Sequence, residues 1–326
     1  MQEINQDFIE GTQYSVLPAP KYILRRFDDK RGSRFYFFKD DQGEVQIASG
    51  VTSAFGMVST ENKHLDDWKR NNPNWKEMLD NAAEYGTLEH ILFADILLGK
   101  KIDYDIIQKM EEVSRRMGNN VDQVKKDILA FLKFKEEYNP HPLLIEGQLV
   151  WRDPETGEYL AMTIDLLASI TEPFKSKVMV EDGVYSRGDK KGQPKYKEET
   201  VIQNVNKTVI IDYKSNFFEK ESKSFFEGHK NQLIAASKAV FQNYGVKVDE
   251  VFNFSPNAWR DEPSYTLKKW KIDDSDLRVW DAYWRLILVK GYNKPNGRIL
   301  VVDETFKSSA SYEYLSYRDY VNRMIG

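Results

Sequence analysis

Two carboxylates and a lysine stand where apolar runs end. Val209-Ile210-Ile211 leads into Asp212-Tyr213-Lys214, and Tyr159-Leu160-Ala161-Met162-Thr163-Ile164 leads into Asp165. β-Branched and aliphatic runs of this kind form buried strands, so a charge at the end of one is enclosed and poised for chemistry. If the two strands lie side by side, Asp165 and Asp212 reach one sheet edge as a pair of hard oxygen donors. Such donors suit Mg²⁺ or Mn²⁺, which keep several waters and take further oxygens from a phosphate. Strand alternation sends the side chains of Asp212 and Lys214 to one face, setting an ammonium beside the ion. There it can hydrogen-bond an attacking water and offset charge building on phosphorus, while the ion lowers the pKa of the water and acts as a Lewis acid. The chemistry this set suits is hydrolysis of a phosphodiester.

The elements that must hold these residues follow from hydrophobic period. Between Lys21 and Ser49, Tyr22-Ile23-Leu24, Arg34-Phe35-Tyr36-Phe37-Phe38 and Val45-Gln46-Ile47-Ala48 are separated by turn formers and read as a small antiparallel meander. From Leu65 the period becomes helical, broken at Asn72-Pro73 and resumed from Trp75 to Leu98 with Gly99 as C-cap. Two more helices follow, about Tyr104 to Met117 and Val121 to Tyr138, before Asn139-Pro140-His141-Pro142 stops helix formation. The period then falls to two. Leu143 to Trp151 and Tyr159 to Ala168 make a hairpin across Asp153 to Glu158. Glu172 to Asn206 reads as an extended, mobile hairpin whose Arg187 to Lys197 stretch is basic and rich in turn formers. The strand through Asp212 comes next, then a helix from about Glu221 to Tyr244 capped by Gly245. Strands at Glu250 to Phe254 and Ser264 to Ile272, an amphipathic helix around Trp280 and Trp284, and a helical segment from Tyr312 to Met324 complete the chain. This order predicts an α/β core with a mixed sheet and a helical layer.

Composition narrows the classes. The 326 residues are 41% hydrophobic and 30% charged with a net charge of -4, so the chain is globular and no overall basic field marks a polyanion partner. Any nucleic-acid contact must be local. The absence of cysteine removes disulfides, thiolate zinc, iron–sulfur clusters and a thiol nucleophile, and fits a reducing cytoplasm. Residues 1–13 are polar and acidic, unlike a signal or transit peptide, and no apolar run approaches the roughly 18 residues of a membrane span.

Asp165 followed by Asp212-Tyr213-Lys214 on an apolar strand resembles the PD-(D/E)XK nuclease superfamily. Gly86-Thr87-Leu88-Glu89-His90 upstream, and Gln232 in the helix after Lys214, resemble its RecB-type branch. Gly50-Val51-Thr52-Ser53 with Leu65-Asp66-Asp67-Trp68 is similar to the entry segment of phage-type exonucleases in that branch. The resemblance spans roughly Gly50 to Tyr244. It implies a restriction-endonuclease-like core with a central mixed sheet flanked by helices, at residues 61–255 with an inserted hairpin at about 172–206. Residues 1–60 would be the N-terminal meander and entry segment, and residues 256–326 a C-terminal α/β elaboration. It further implies that His90, Asp165, Asp212 and the Tyr213 carbonyl bind Mg²⁺ or Mn²⁺ and that Lys214 is the catalytic lysine. Glu146 would reach the metal through water, and Gln232 would sit near Lys214 and the substrate backbone. The implied partner is DNA, as double-stranded ends or single strands, with a recombination or replication protein as a further one and the bacterial host cytoplasm as the setting. The chain departs from the pattern at Ala236, where RecB-type members often carry tyrosine.

Taken singly these residues have structural readings: His90 as a core histidine, Glu146 as strand surface, Gln232 as helix surface, Glu89 as a mere neighbour of His90. The loop Arg187 to Lys197 is either a grip on a nucleic-acid backbone or a solvated charge run. Two other functions compete with the nuclease: a catalytically silent nuclease-like module that binds DNA or protein, and a metal-dependent phosphoesterase acting on a small molecule.

Overall fold

The computed structural model describes residues 13–28, 34–56, 58, 63–118, 122–215, 225–257 and 262–290, and two further strands at 299–302 and 312–315. Nine strands form one open, mixed, mostly antiparallel sheet: β1 (Tyr14–Ser15), β2 (Arg25–Asp28), β3 (Arg34–Lys39), β4 (Val45–Gly50), β5 (His141–Arg152), β6 (Tyr159–Val184), β7 (Pro194–Tyr213), β8 (Glu250–Pro256) and β9 (Tyr265–Trp270). Seven helices among the described residues flank it: α1 (Val51–Gly56), α2 (Lys63–Asn71), α3 (Trp75–Leu97), α4 (Tyr104–Arg116), α5 (Asp122–Tyr138), α6 (Glu227–Tyr244) and α7 (Asp274–Lys290). β10 (Ile299–Val302) and β11 (Tyr312–Leu315) form a separate antiparallel pair. The α/β class and the mixed sheet expected from the sequence are present.

Both faces of the sheet are covered around β5 to β8, which is why the buried stretches of these strands are mostly apolar. On one face α3, α4 and α5 pack Leu92, Phe93, Met110, Phe131 and Phe134 against Ile211, Tyr213, Phe252 and Phe254. Phe93 and Phe131 stack with centroids 3.9 Å apart. On the other, α1, α6 and α7 pack Phe55, Leu233, Val240, Trp280 and Trp284 against Leu149, Trp151, Met162 and Ile210. Trp280 and Trp284 each meet the Trp151 ring edge-on at 5.3 Å. α3 and α6 stop at glycines that take up left-handed backbone, Gly99 at φ 65° and Gly245 at φ 66°, as the sequence predicts.

The topology creates a gap. β5 runs along one edge of β6 from Tyr159 to Ser169. On the other edge β4 pairs in parallel at Leu160 and Ala161 and then ends, while β7 pairs antiparallel only from Leu166 onward. The carboxyl ends of β4 and β7 thus point toward each other across Met162 to Asp165. Crevices outside strand carboxyl ends are where open α/β sheets hold ligands.

The structure corrects the sequence reading in places. The first meander strand is Arg25–Asp28, in register with Phe37 to Arg34, whereas Tyr22 buries its ring against Phe38 and Tyr159 without joining the ladder. The expected extended hairpin at 172–206 is present, but as a continuation of β6 and β7 and not as a separate insert: the two stay paired from Leu166↔Ile211 out to Val184↔Pro194, with a register shift after Glu181. Tyr312–Leu315 is a strand and not a helix: Tyr-Glu-Tyr-Leu offers strand alternation, and the β-branched Ile299–Val302 supplies its partner. Residues 316–324 of that expected helix, 221–224 of the helix expected before Tyr244, the basic turn at 29–33 and Trp259 lie outside the described residues.

Candidate active site

The crevice between β4 and β7 is a cleft of about 580 Å³. Its walls carry Tyr36 of β3, Gly50 to Ser53 at the β4–α1 junction, Gly86, Thr87 and His90 of α3, Glu146 of β5, Met162 to Asp165 of β6, Asp212 to Ser215, and Gln232 and Ala236 of α6. Every side chain singled out from the sequence for chemistry reaches this one cleft, and Tyr213 lines it as well.

His90, Glu146 and Asp165 converge on the floor. The His90 ring donates through Nδ1 to Glu146 Oε1 at 2.9 Å, and the same nitrogen lies 3.9 Å from Asp165 Oδ1. Glu146 gets there by a backbone irregularity. The β5–β6 register shifts between Pro142 and Leu144, and Glu146 itself sits at φ 49°, left-handed backbone rare for a residue with a Cβ. It falls between the pairs Ile145↔Leu166 and Gly147↔Ile164, flanking Asp165 across the strand. The next residue must be glycine, because a Cβ on Gly147 would lie 2.3 Å from Leu144 Cγ. Strained backbone of this sort costs about 1–3 kcal/mol and persists where the surroundings enforce it.

Asp165 is fixed from the other side by the Tyr213 amide, which donates to its Oδ2 at 2.8 Å. Tyr213 therefore touches the site through its N–H as well as lining the cleft. Burial, together with the negative charges of Asp212 and Glu146, pushes the Asp165 carboxyl up to about 7 despite the opposing pull of His90. Burial works against the charged form of His90, yet Asp165 and Glu146 outweigh it and raise the imidazole to about 9.

A second pair stands beside this trio. Lys214 Nζ donates to Asp212 at 2.7 Å from Oδ1 and 2.6 Å from Oδ2, the same-face arrangement expected of a strand. Burial disfavours its charge, but Asp212 and Asp165 win and raise its pKa, so Lys214 is an ammonium at neutral pH. It can donate hydrogen bonds and positive charge, and it cannot serve as a general base. The rest of Asp212 is held by Asn253, whose Nδ2 donates to Oδ2 at 2.5 Å and whose Oδ1 accepts from Trp270 Nε1 at 2.6 Å. Asp212↔Asn253 is a register pair of the parallel β7–β8 ladder, and Asn253 is fully buried.

Asn253 is a residue the sequence reading passed over, although an amide inside Val251-Phe252-Asn253-Phe254 is the signal that could have found it. Glu89 is another. It is not merely beside His90: it is 1% exposed and accepts a hydrogen bond from Ser215, the residue after Lys214, tying the end of β7 to α3. The approach is close, since a Cβ on Gly86 would lie 3.1 Å from Ser215 Oγ. Replacing Asn253 by alanine strands the Trp270 N–H and leaves Asp212 Oδ2 to Lys214 alone. Such orphaned buried groups cost about 1–3 kcal/mol, which urea unfolding of Asn253→Ala should register as a loss of that size.

The expected set is thus arranged as two adjoining groups. His90, Glu146 and Asp165 each offer one donor atom, all within 4.8 Å of one another, whereas the Asp212 oxygens are taken by Lys214 and Asn253. An imidazole nitrogen and two carboxylate oxygens are a donor set for a divalent cation; burial and then like-charge crowding lift Asp165, and such a cation relieves the crowding. Gln232 lines the cleft from α6. No protein-family model and no curated protein matches the chain. The functional reading therefore stands on the site itself.

The basic stretch Arg187 to Lys197 is not part of the cleft. Asp165 lies near the start of β6 and the basic turn follows its end, roughly 60 Å away along the strand at about 3.3 Å per residue. Lys195 and Lys197 face Asp182 at 3.4 and 3.8 Å, and Lys197 pairs with Glu199 at 2.9 Å. Its side chains are out of reach of the cleft.

Proposed function

We propose that the protein is a Mg²⁺- or Mn²⁺-dependent deoxyribonuclease that hydrolyses phosphodiester bonds, acting as an exonuclease on DNA ends in recombination, repair or replication. The observation that carries this reading is the meeting of His90, Glu146 and Asp165 with the Lys214–Asp212 pair in one cleft at the carboxyl ends of two strands. On this reading the sheet and its flanking helices form a restriction-endonuclease-like core, and the protein works in the cytoplasm of a bacterial host.

His90, Glu146 and Asp165 would hold the ion, with Asp212 adjoining. A bound divalent ion supplies Lewis acidity and a water of lowered pKa. Lys214 would position the attacking water by hydrogen bonding and meet the charge that develops on the phosphate oxygens. Asp212, fixed by Asn253, orients the Lys214 ammonium. Gln232, on the opposite wall, faces the substrate backbone.

The test is incubation of the purified protein with labelled linear duplex, circular duplex and single-stranded DNA in Mg²⁺, Mn²⁺ or EDTA. Cleavage of linear DNA with either metal, abolished by EDTA and sparing the circle, is the expected result. Cutting of the circle would replace the exonuclease with an endonuclease. Binding without cleavage under every condition would replace the enzyme with a silent module.

A further inference from the structure

We propose that the outer edge of the β6 ribbon pairs antiparallel with the same edge of a second copy of this chain, about a two-fold axis through Met179. The pairing is independent of the chemistry in the cleft.

The ribbon stands in solvent with little to hold it. Pairing of β6 with β5 ends at Ser169, and pairing of β7 with β8 begins only at Val209. Beyond those points the two strands have, among the described residues, only each other as strand partners for a length of about 40 Å at 3.3 Å per residue. A two-stranded antiparallel ribbon is at best marginally stable alone, and its free edges are templates for another strand. Its side chains include apolar ones left in water: Met179 is 66% exposed.

The edge sequence selects the partner. Residues 175–182 read Lys-Ser-Lys-Val-Met-Val-Glu-Asp: basic, then apolar, then acidic. Antiparallel pairing of this edge with itself about Met179 sets Lys177 opposite Glu181 of the second copy and Glu181 opposite its Lys177. Val178 meets Val180 on the other face. Directly opposed residues share a face, so the two ion pairs flank a Met179–Met179 contact. The window 177–181 is also the regular part of the ladder, since the register shifts only after Glu181. Such a self-complementary patch is what a closed two-fold interface requires, formed here by strand addition.

Present contacts leave these groups available. Lys177 reaches Glu198 at 3.0 Å, but both side chains are more than half exposed, and pairs of that kind contribute little. Glu181 has no ion-pair partner among the described residues. The β7 edge lacks such a patch: pairing Lys195 to Glu199 with itself would set Lys197 against Lys197 of the second copy, and like charges directly opposed are destabilising.

Light scattering on a dilution series of the full chain tests the proposal. The wild type should give twice the 38.1 kDa chain mass and fall to one chain on dilution. Lys177→Glu sets glutamate against glutamate and Glu181→Lys sets lysine against lysine, so each variant alone should be monomeric. An equimolar mixture of the two variants restores opposite charges at both contacts and should return to two chains. Circular dichroism identical to the wild type shows that each variant is folded. A wild type that stays monomeric throughout, an assembly of another order, or a dimer indifferent to both charge reversals would overturn the proposal.

Discussion

Lys214→Ala is expected to lower metal-dependent DNA cleavage by about 10²- to 10³-fold, the usual cost of removing one preorganised donor from a charge-developing centre. The fold should survive. Lys214 lies just past the end of β7, with its backbone N–H bonded to Phe254 O at 2.8 Å, a contact the substitution leaves intact. What is lost is the ammonium 2.6 Å from Asp212 Oδ2. The sign of a second effect separates this role from metal binding. Lys214 competes as a cation for Asp212, so its removal frees a carboxylate beside the His90, Glu146 and Asp165 donors. Mn²⁺ should bind Lys214→Ala at least as tightly as wild type while the rate collapses. Lys214→Arg should rescue poorly, because a planar fork cannot present the same point of charge. Single-turnover cleavage with calorimetric Mn²⁺ titration measures both quantities. Wild-type cleavage by Lys214→Ala would remove the lysine from the mechanism, and weakened Mn²⁺ binding would assign it to the metal site instead.

Much of this arrangement is legible in the chain. Asp165, Asp212 and Lys214 announce themselves because each interrupts or ends an apolar run, and the helix periods of α3 to α5 and of α6, ended at Gly99 and Gly245, mark the layers on the two faces of the sheet. Glu146 was harder to place. A period-two strand puts it on ordinary strand surface, and only the register shift after Pro142 and the φ of 49° turn it to His90. Local backbone irregularity of that kind has no composition signal. Asn253 and Glu89 escaped for a different reason. Each acts through a contact more than forty residues away in sequence, with Asp212 and with Ser215, and a single chain read in order holds no record of such pairs. Tyr312–Leu315 was misread because a short alternating segment next to aromatic residues fits either period until its partner strand is known. The ribbon was visible as a hairpin, but its reach was not, since nothing in 172–206 says that the strands on either side continue without a break.

The second large effect concerns protons and metal at His90 and Asp165. An imidazole binds a metal only through an unprotonated nitrogen, and a carboxylate binds best when ionised. His90 is raised to about 9 and Asp165 to about 7, so at neutral pH the site already carries protons that an incoming ion must displace. The sign follows. Affinity for Mn²⁺ should rise with pH, gaining close to tenfold per pH unit between 7 and 9 as one proton leaves His90, more steeply below 7 where Asp165 also gives up its proton, and levelling above 9. Calorimetry in two buffers of different ionisation enthalpy, at pH 7.5, should report about one proton released per ion bound. Asp165→Asn sharpens the test. It removes a donor, so Mn²⁺ affinity should drop by well over tenfold. It also removes the largest charge that raises His90, so the His90 titration, followed by NMR, should move down toward 6.5, the ordinary value for histidine. A structural cluster that never meets a metal would show the NMR shift without any Mn²⁺ affinity to lose. Metal binding with no proton release would place the ion away from His90, on the Asp212 side of the cleft.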